Sequence, residues 1–497
     1  MAPAAAEIRA GLTRRRRVCL ETHTGRNRPG KTAMAAKPRA VDAGRTWDRR
    51  PRTWMRVSIL ENGRSMVSHK QRVGLMQISM ALALGACLAG CAAVGPTPEP
   101  LAATPGSPGV PFIPTLTPGP AAPQELTLWV SEEFSPDADS PAARRFAARL
   151  ASFEAQHPGL TLEVRVKAHS GLAGLAEGLL AAGAAAPAAL PDLALLDPAG
   201  LEATASNGLL APLEGHLALP SVPDWTEAAS QAARVNGVFF GLPFASEADG
   251  LAYRKDGFVT PPTVWDDLLR GPAPFVFPAA DPAALFSLAQ YEALGGRLID
   301  SARHPALDPF PLAQVLAFED ALHAAGRLPL AASQLTTTSE TWAAVRDARA
   351  VSGLAAFRAF AREADTAQLA LVPVPTRDGP GTVYAHTWNW ALLGRTTGTQ
   401  SLAIEFLLWM TDPEFLGPYT RESGFLPPTH AALDLWPPDP LKDSAADLLS
   451  LAHAAPSTAL QQVLGPLVSE AALTVLTGNL DADAAAQAAA AAVSPTP

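Results

Sequence analysis

Beyond position 91 the chain contains no cysteine. The three it has are Cys19, Cys87 and Cys91, so whatever folds downstream has no disulfide, no thiol nucleophile and no cysteine-based metal site. Two catalytic signatures are missing as well: neither a G-x-S-x-G nucleophile elbow nor an H-E-x-x-H zinc helix occurs in the 497 residues. Tyrosine is scarce, with four in the whole chain. Basic charge is scarce outside the head of the sequence. Residues 1–90 carry 18 Lys+Arg against 5 Asp+Glu, whereas residues 91–497 carry 20 against 42, a net of −22. An acidic body of this kind argues against nucleic acid or an anionic membrane surface as a partner. Apolar content is plentiful, at 48% with 17% charged residues, and the length allows two or three domains.

The basic head contains GRNRPGKT (25–32), which has the spacing of a phosphate-cradling loop. That loop needs a buried strand before it and a helix after it, so that backbone N–H groups converge on phosphate. Here Arg14 to Arg17 precede it, and Pro38 would interrupt a helix after two turns. The match reads as chance, and no nucleotide cofactor is expected. The same arginines lack the closely following apolar run of a twin-arginine export signal.

From Met66 the sequence runs MVSHKQRVGLMQISMALALGACLAGC: Lys70 and Arg72, then an apolar run from Val73 to Ala89 ending in small residues. This is the pattern of a secretory signal. Its end, Leu88-Ala89-Gly90-Cys91, resembles the lipobox of bacterial lipoproteins, in which the cysteine receives a diacylglycerol and becomes the mature N-terminus. A plain cleaved signal or a short anchor helix is the alternative. Residues 1–65 then stand upstream of a signal that belongs at an N-terminus, and are expected to be a mis-called or disordered extension. Residues 66–90 are the signal, and 91–124 a lipidated cysteine with a tether. Ten prolines between Pro96 and Pro123 favour extended polyproline conformations. At ~3.1 Å per residue such a tether reaches at most ~100 Å.

The body begins ELTLWVSEEF (125–134), an alternating β-rich stretch. PAARRFAARLASFEAQHPG (141–159) follows, with Phe146, Leu150 and Phe153 at helical spacing. LTLEVRVKA alternates again, GLAGLAEGLLAAGAAA is helical, and PDLALLD is a short apolar strand. Strand, helix, strand, helix, strand predicts an α/β layer around a mostly parallel sheet. Ligands of such sheets sit beyond the carboxyl ends of the strands, here near Trp129–Phe134, His169–Gly171 and Leu196–Gly200.

A longer series of motifs is similar to the bacterial extracellular solute-binding lipoproteins of sugar-type ABC importers, the maltose-binding kind. It comprises FEAQHPG, PDLALLD, GLLAPL (208–213), GVFFGLPFASEADGLAYRKD (237–256), PPTVWDDLL (261–269), LGGRLID (294–300), LALVPVPTRDG (369–379), AIEFLLWMTDPEF (403–415) and GFLPP (424–428). The order covers nearly all of 125–497. The resemblance implies a two-lobe, type II periplasmic-binding-protein-like α/β fold with a hinge and an inter-lobe cleft. Lobe one would be 125–244 with 389–436, and lobe two 249–386 with 440–497. The chain would cross between them near Pro243–Asp249 and His386–Trp390.

A sugar site needs flat aromatic rings for C–H faces and planar polar groups for hydroxyls. Trp129 ends the first strand with Glu132 and Glu133 beside it; a core role is the alternative for the tryptophan. The resemblance places a sugar-contacting carboxylate in the first crossing, at Glu247 with Asp249 as neighbour. The second crossing, Tyr384 to Trp390, is the densest aromatic and polar cluster in the chain. From it Trp388, Asn389 and Trp390 are expected at the ligand, with some of these rings able to serve as core. His386 has no partner histidine at metal-ligand spacing, so no metal site is expected. Asp197 is the single hydrogen-bonding side chain in the loop Leu196 to Gly200. Maltose binders carry an aromatic and charged residues there, which puts maltodextrin in doubt.

The reading is a monomeric, lipid-anchored, extracytoplasmic receptor that captures a carbohydrate or similar polar solute for the permease subunits of an ABC importer. It is not read as an enzyme. A degenerate receptor acting as sensor or scaffold, and a secreted hydrolase, are the alternatives.

Overall fold

In the computed structural model, residues 124–217, 224–381, 383–394 and 398–493 are described. Residues 1–65, the expected signal, Cys91 and the proline tether lie outside them.

Strand β1 (Gln124–Ser131) alternates as its sequence requires: Leu126, Leu128 and Val130 enter one core, and Trp129 points to the other face. The strand ends at Ser131. Residues 132–134, expected to continue it, form a 3-10 turn that turns Phe134 inward. Helix α1 (Pro141–Gln156) starts where Ser140 accepts the Ala143 N–H at 3.1 Å, with Pro141 in its first turn. Phe146, Leu150 and Phe153 form its buried stripe. Strand β2 (Leu160–Lys167), helix α2 (Leu175–Ala185), strand β3 (Leu193–Leu196) and helix α3 (Pro198–Ser206) follow. Strand β1 pairs in parallel with both β2 and β3. All four residues of β3 are buried, as a strand covered on both faces must be.

After helix α4 (Glu227–Ala232), strands β4 (Arg234–Val235) and β5 (Val238–Phe239) form a hairpin. Its two turn residues, Asn236 and Gly237, both have positive φ, 52° and 83°, the geometry that the asparagine–glycine pair supplies at low cost. Strand β6 (Gly241–Arg254) is 14 residues long. Then come α5 (Trp265–Arg270), β7 (Phe275–Val276), α6 (Leu285–Ala293), α7 (Pro309–Ala324), α8 (Thr338–Arg346), β8 (Ser352–Ala356), α9 (Phe357–Glu363), β9 (Leu369–Val372) and β10 (Val383–Leu392). The chain closes with α10 (Gln400–Met410), α11 (Pro413–Ser423), α12 (His430–Asp434), α13 (Pro440–Leu451), β11 (Ala452–Ala454), α14 (Thr458–Leu476) and α15 (Ala482–Val493).

Strands β6 and β10 carry the architecture. From Gly241 to Ala248, β6 pairs antiparallel with β10; from Asp249 onward its partners are β8 and β9. Strand β10 likewise pairs with β11 through Val383–Ala385 and with β3 through Asn389–Leu392. One part of the sheet runs β2-β1-β3-β10-β6, the other β7-β8-β6 with β9 also on β6, and these two strands pass between them. The result is an α/β fold of two lobes joined by crossing strands.

Several cores back these parts. The first gathers Phe134, Phe146, Phe153, Phe244, Trp390, Phe406 and Tyr419. Another stacks Trp265 on Phe318 at 4.2 Å, with the Trp265 indole donating to Gln290 at 2.8 Å. Helix α14 is long and apolar enough to cross a membrane by length and composition. Its Leu464, Val468, Ala472 and Val475 are instead buried against α6, α7 and α15.

Candidate functional site

The three strand ends of the first layer deliver charged side chains to one place. Glu133, on the turn after β1, puts Oε1 3.1 Å from His169 Nδ1, on the loop after β2. His169 Nε2 lies 3.9 Å from Asp197 Oδ2, on the loop after β3. Asp197 also caps α3, its Oδ1 accepting the Gly200 N–H at 2.8 Å. The other oxygen of Glu133, Oε2, is buried without a hydrogen-bond partner among the described residues. Glu132, one residue earlier, is exposed and stays outside this cluster.

The crossing strands supply the opposite side. Glu247 stands directly across from His386 in the β6–β10 ladder. Residues opposed in an antiparallel pair share a face, and so do residues two apart, which groups Glu247, Asp249, Tyr384, His386 and Trp388. Asp249 accepts the Thr338 hydroxyl at 2.8 Å. With His386, Tyr384 and Gln290 it also lines a cavity of about 40 Å³, room for water rather than for a larger molecule. Tyr384 donates to Glu292 at 2.5 Å. Trp388, 7% exposed, meets Phe134 and Phe425 edge to face at 5.8 and 5.0 Å.

The sequence reading missed Arg358. It is the second residue of α9, just past the end of β8, and its guanidinium lies 4.1 Å over the Phe425 ring. Its Nε is buried with no hydrogen-bond partner among the described residues. Gly424 permits this packing. It sits at φ +79°, and a Cβ there would meet the Arg358 carbonyl at 3.3 Å and the Arg362 side chain at 3.1 Å. The same strand-end rule that pointed to Asp197 would have found Arg358 had it been applied to SGLAAFR.

Besides Trp388, itself a member of the first core, three expected ligand residues are core residues. Trp129, 5% exposed, packs among Leu175, Leu179 and Leu190 with the Lys167 ammonium 4.3 Å over its ring. Trp390 is 0% exposed, held edge to face by Phe244 and Phe406 at 5.9 and 5.6 Å. Asn389 follows Trp388 on a strand and so points to the opposite face. It is fully buried there and donates to the Thr387 carbonyl at 2.8 Å, facing the Ala232 carbonyl that ends α4. Arg421 pairs with Asp439 and lies 5.3 Å from the Trp436 ring.

Burial governs the electrostatics. Glu247 is pushed up to about 7, first by desolvation and then by Asp249 and Glu133, with Arg358 opposing. Burial also raises Asp249, against the Thr338 hydrogen bond and His386. It lowers His386, against Asp249 and Asp197. Arg358 is lowered by burial and supported by Glu247. Glu247 and Arg358 attract each other, yet neither makes a hydrogen bond or a close ion pair among the described residues. The unmatched acceptor Glu133 Oε2 thus stands beside unmatched donors at Arg358 Nε and at the buried Trp388 indole N–H. A neutral group that both donates and accepts would satisfy all three. Among the described residues no three His, Cys, Asp or Glu side chains are placed to hold a metal ion.

Comparison with known proteins agrees with this architecture. No curated protein matches the sequence significantly. Among solved structures, the sugar-binding protein MalE from the phytopathogen Xanthomonas citri superposes with a TM-score of 0.61 at 20% identity, over 74% of this chain and 96% of its own. The cyclic alpha-maltosyl-1,6-maltose binding protein from Arthrobacter globiformis gives 0.61 at 21%, over 75% and 98%. A cyclo/maltodextrin-binding protein complexed with maltotetraose gives 0.60 at 19%, over 74% and 96%. These likenesses establish the fold, and the named proteins are binding proteins. Residues 148–447 match the profile of the bacterial extracellular solute-binding proteins, and the chain belongs to that family.

Proposed function

We propose that the chain is a receptor for a carbohydrate or similar polyhydroxylated solute, captured outside the cytoplasmic membrane and passed to an ABC importer. One observation carries this reading. Glu133 Oε2 lacks a donor, and Arg358 Nε and the Trp388 Nε1–H lack acceptors, around the rings of Trp388 and Phe425. Sugar hydroxyls donate and accept, and sugar C–H faces pack on aromatic rings. An anion would serve the donors and face two carboxylates; a cation would serve the carboxylates and face the arginine. The names of the structural relatives point to the same ligand class. Within the site, Glu247, Arg358 and Trp388 hold the solute, with Glu133, Asp197 and Asp249 around them. The lobes are 125–244 with 389–436, and 249–386 with 440–497. Cys91 carries the lipid that keeps the receptor, as a monomer, at the membrane.

Thermal unfolding against a panel of mono- and oligosaccharides, polyols, amino acids and peptides tests the reading. A solute at 100 times its Kd should add ~2.7 kcal/mol of stability, visible as an upward shift in Tm. A shift confined to carbohydrates supports the proposal; a response confined to amino acids or peptides refutes the carbohydrate claim.

A further inference from the structure

The small cavity beside the crossing strands carries a chemistry that the rest of the site does not use. Its volume is about 40 Å³, and Phe286 and Ala289 of α6, Leu354 of β8 and Val383 of β10 give it apolar walls. Four polar side chains line it: Asp249, Gln290, Tyr384 and His386. Two of them are already committed. Gln290 accepts the Trp265 indole N–H at 2.8 Å and donates to the Pro375 carbonyl at 3.2 Å. Tyr384 donates its one hydroxyl proton to Glu292 at 2.5 Å, so toward the cavity its oxygen can only accept. Asp249 is different. Its Oδ2 accepts the Thr338 hydroxyl at 2.8 Å, and among the described residues no lysine, arginine or histidine makes an ion pair with it. The fixed charges nearest to it are carboxylates, Glu247 two residues earlier on β6 and Asp281 on the loop before α6. Arg358 acts on Glu247 and Glu133 instead.

We propose that this cavity is an ammonium subsite: the solute carries an unsubstituted primary amine, which enters the cavity and gives its charge to Asp249. The proposal rests on the solute-receptor reading and deepens it, by naming the amino sugars among the carbohydrates. Size is the first argument. A space of this volume admits a group as large as water. An ammonium is such a group; an acetylated or trimethylated amine is not. Charge is the second. A carboxylate enclosed by apolar side chains needs a countercharge, which an ammonium supplies and a hydroxyl does not. Hydrogen bonding is the third. An ammonium has three donors and no acceptor, and the cavity offers it the Asp249 carboxylate and the Tyr384 oxygen. Position removes the conflict with the arginine. Asp249 lies two residues, roughly 7 Å, along β6 from Glu247, whereas Arg358 sits over Phe425 and acts on Glu247. A solute with hydroxyls at one end and an amine at the other meets both.

Methylammonium is the probe for the cavity itself, because it needs no sugar. The full chain is isotope-labelled at its histidines, and the His386 ring signal is identified by its loss in H386Q. Methylammonium chloride, exchanged for sodium chloride at constant ionic strength, should shift the His386 signal saturably and leave those of His304 and His323 in place. Tetramethylammonium and methanol should not shift it. D249N should weaken the response ~10-fold or more, the loss of a charge-assisted hydrogen bond. A289L fills the cavity from α6, keeps the carboxylate and should abolish the response. A silent His386 in the folded parent overturns the proposal, as does a response shared by tetramethylammonium or retained in full by D249N. If D249N unfolds, A289L and the tetramethylammonium comparison decide.

Calorimetry then compares matched sugars: glucose, glucosamine and N-acetylglucosamine, and their galactose counterparts. The amine form should bind ~10-fold or more tightly than the hydroxyl and acetyl forms. Sugars that bind with no preference for the amine overturn the proposal. Methylammonium binding with no sugar bound leaves the ammonium subsite standing and removes the carbohydrate reading; sugar binding with a silent His386 does the reverse.

Discussion

On the side of the site built from strand ends, Glu133, His169 and Asp197 lie against one another, and Asp197 also caps a helix. On the side built from the crossing strands, Glu247 and Arg358 attract without meeting, and the Arg358 Nε has no partner among the described residues. The first side already uses most of its polar capacity on itself; the second keeps its capacity open toward the space between. A polar group satisfied by its own protein gains little from a ligand. One left unmatched in a desolvated place gains the full value of a charge-assisted hydrogen bond. Recognition should therefore be concentrated on β6, β10 and α9, with the strand ends supplying shape.

The largest expected effect belongs to a residue outside this contrast and marks the line between core and site. Trp390→Ala removes a wholly buried ring between Phe244 and Phe406 and should cost ~3–5 kcal/mol in chemical denaturation. Affinity in the fraction that remains folded should be near that of the parent. Arg358→Ala should do the reverse. The solute that shifts the thermal panel should bind ~10- to 100-fold more weakly by calorimetry, with stability unchanged or slightly raised because a desolvated cation has gone. Equal effects of the two substitutions on affinity would erase the distinction.

Glu319 sharpens the comparison, because it shares the titration of Glu247 without its position. It is 0% exposed between helices, takes one hydrogen bond from Ser287 at 2.6 Å, and is pushed up to about 7 by burial. The unfolded chain holds its proton only to ~4.3. Its favourable contribution is complete below that value and disappears as pH rises through 7, a change of about 3–4 kcal/mol. Denaturation midpoints should therefore fall between pH 5 and 8 in the parent, and fall much less in Glu319→Gln.

Much of the fold was legible. The parallel order of the first three strands followed from alternating and helical spacing, and the motif series runs through the segments that form β6 and β10. The same reasoning pointed to residues whose positions the structure gives: Asp197 and His169 stand at strand ends, 3.9 Å apart, and Glu247 lies on β6. The failures have specific causes. Period two says that Trp388 and Trp390 share a face, but not that Phe406 and Phe244 close over one of them. The same period says that Asn389 cannot accompany Trp388, a consequence the sequence reading did not apply. Trp129 was assigned to a strand's end, yet its face is covered by α2, and coverage is a property of the packed layer. Arg358 escaped because its strand, β8, is short and made of small residues and so was not recognised as a strand whose end to follow.

His169 gives the smallest effect and the closest test of the contrast. It bridges Glu133 and Asp197 at 3.1 and 3.9 Å while about half exposed. Pairs as open as this are worth ~0.2–1 kcal/mol and are screened by salt. His169→Ala should therefore lower stability by no more than that, and less at high ionic strength. Its removal also frees Glu133 Oε1, adding a second unmatched oxygen beside Oε2. If the strand-end side supplies shape rather than hydrogen bonds to the solute, affinity should hold even as stability slips. A drop in affinity comparable to that of Arg358→Ala would mean that the strand-end side contacts the solute directly, and that the two sides are not the different instruments their hydrogen bonding makes them.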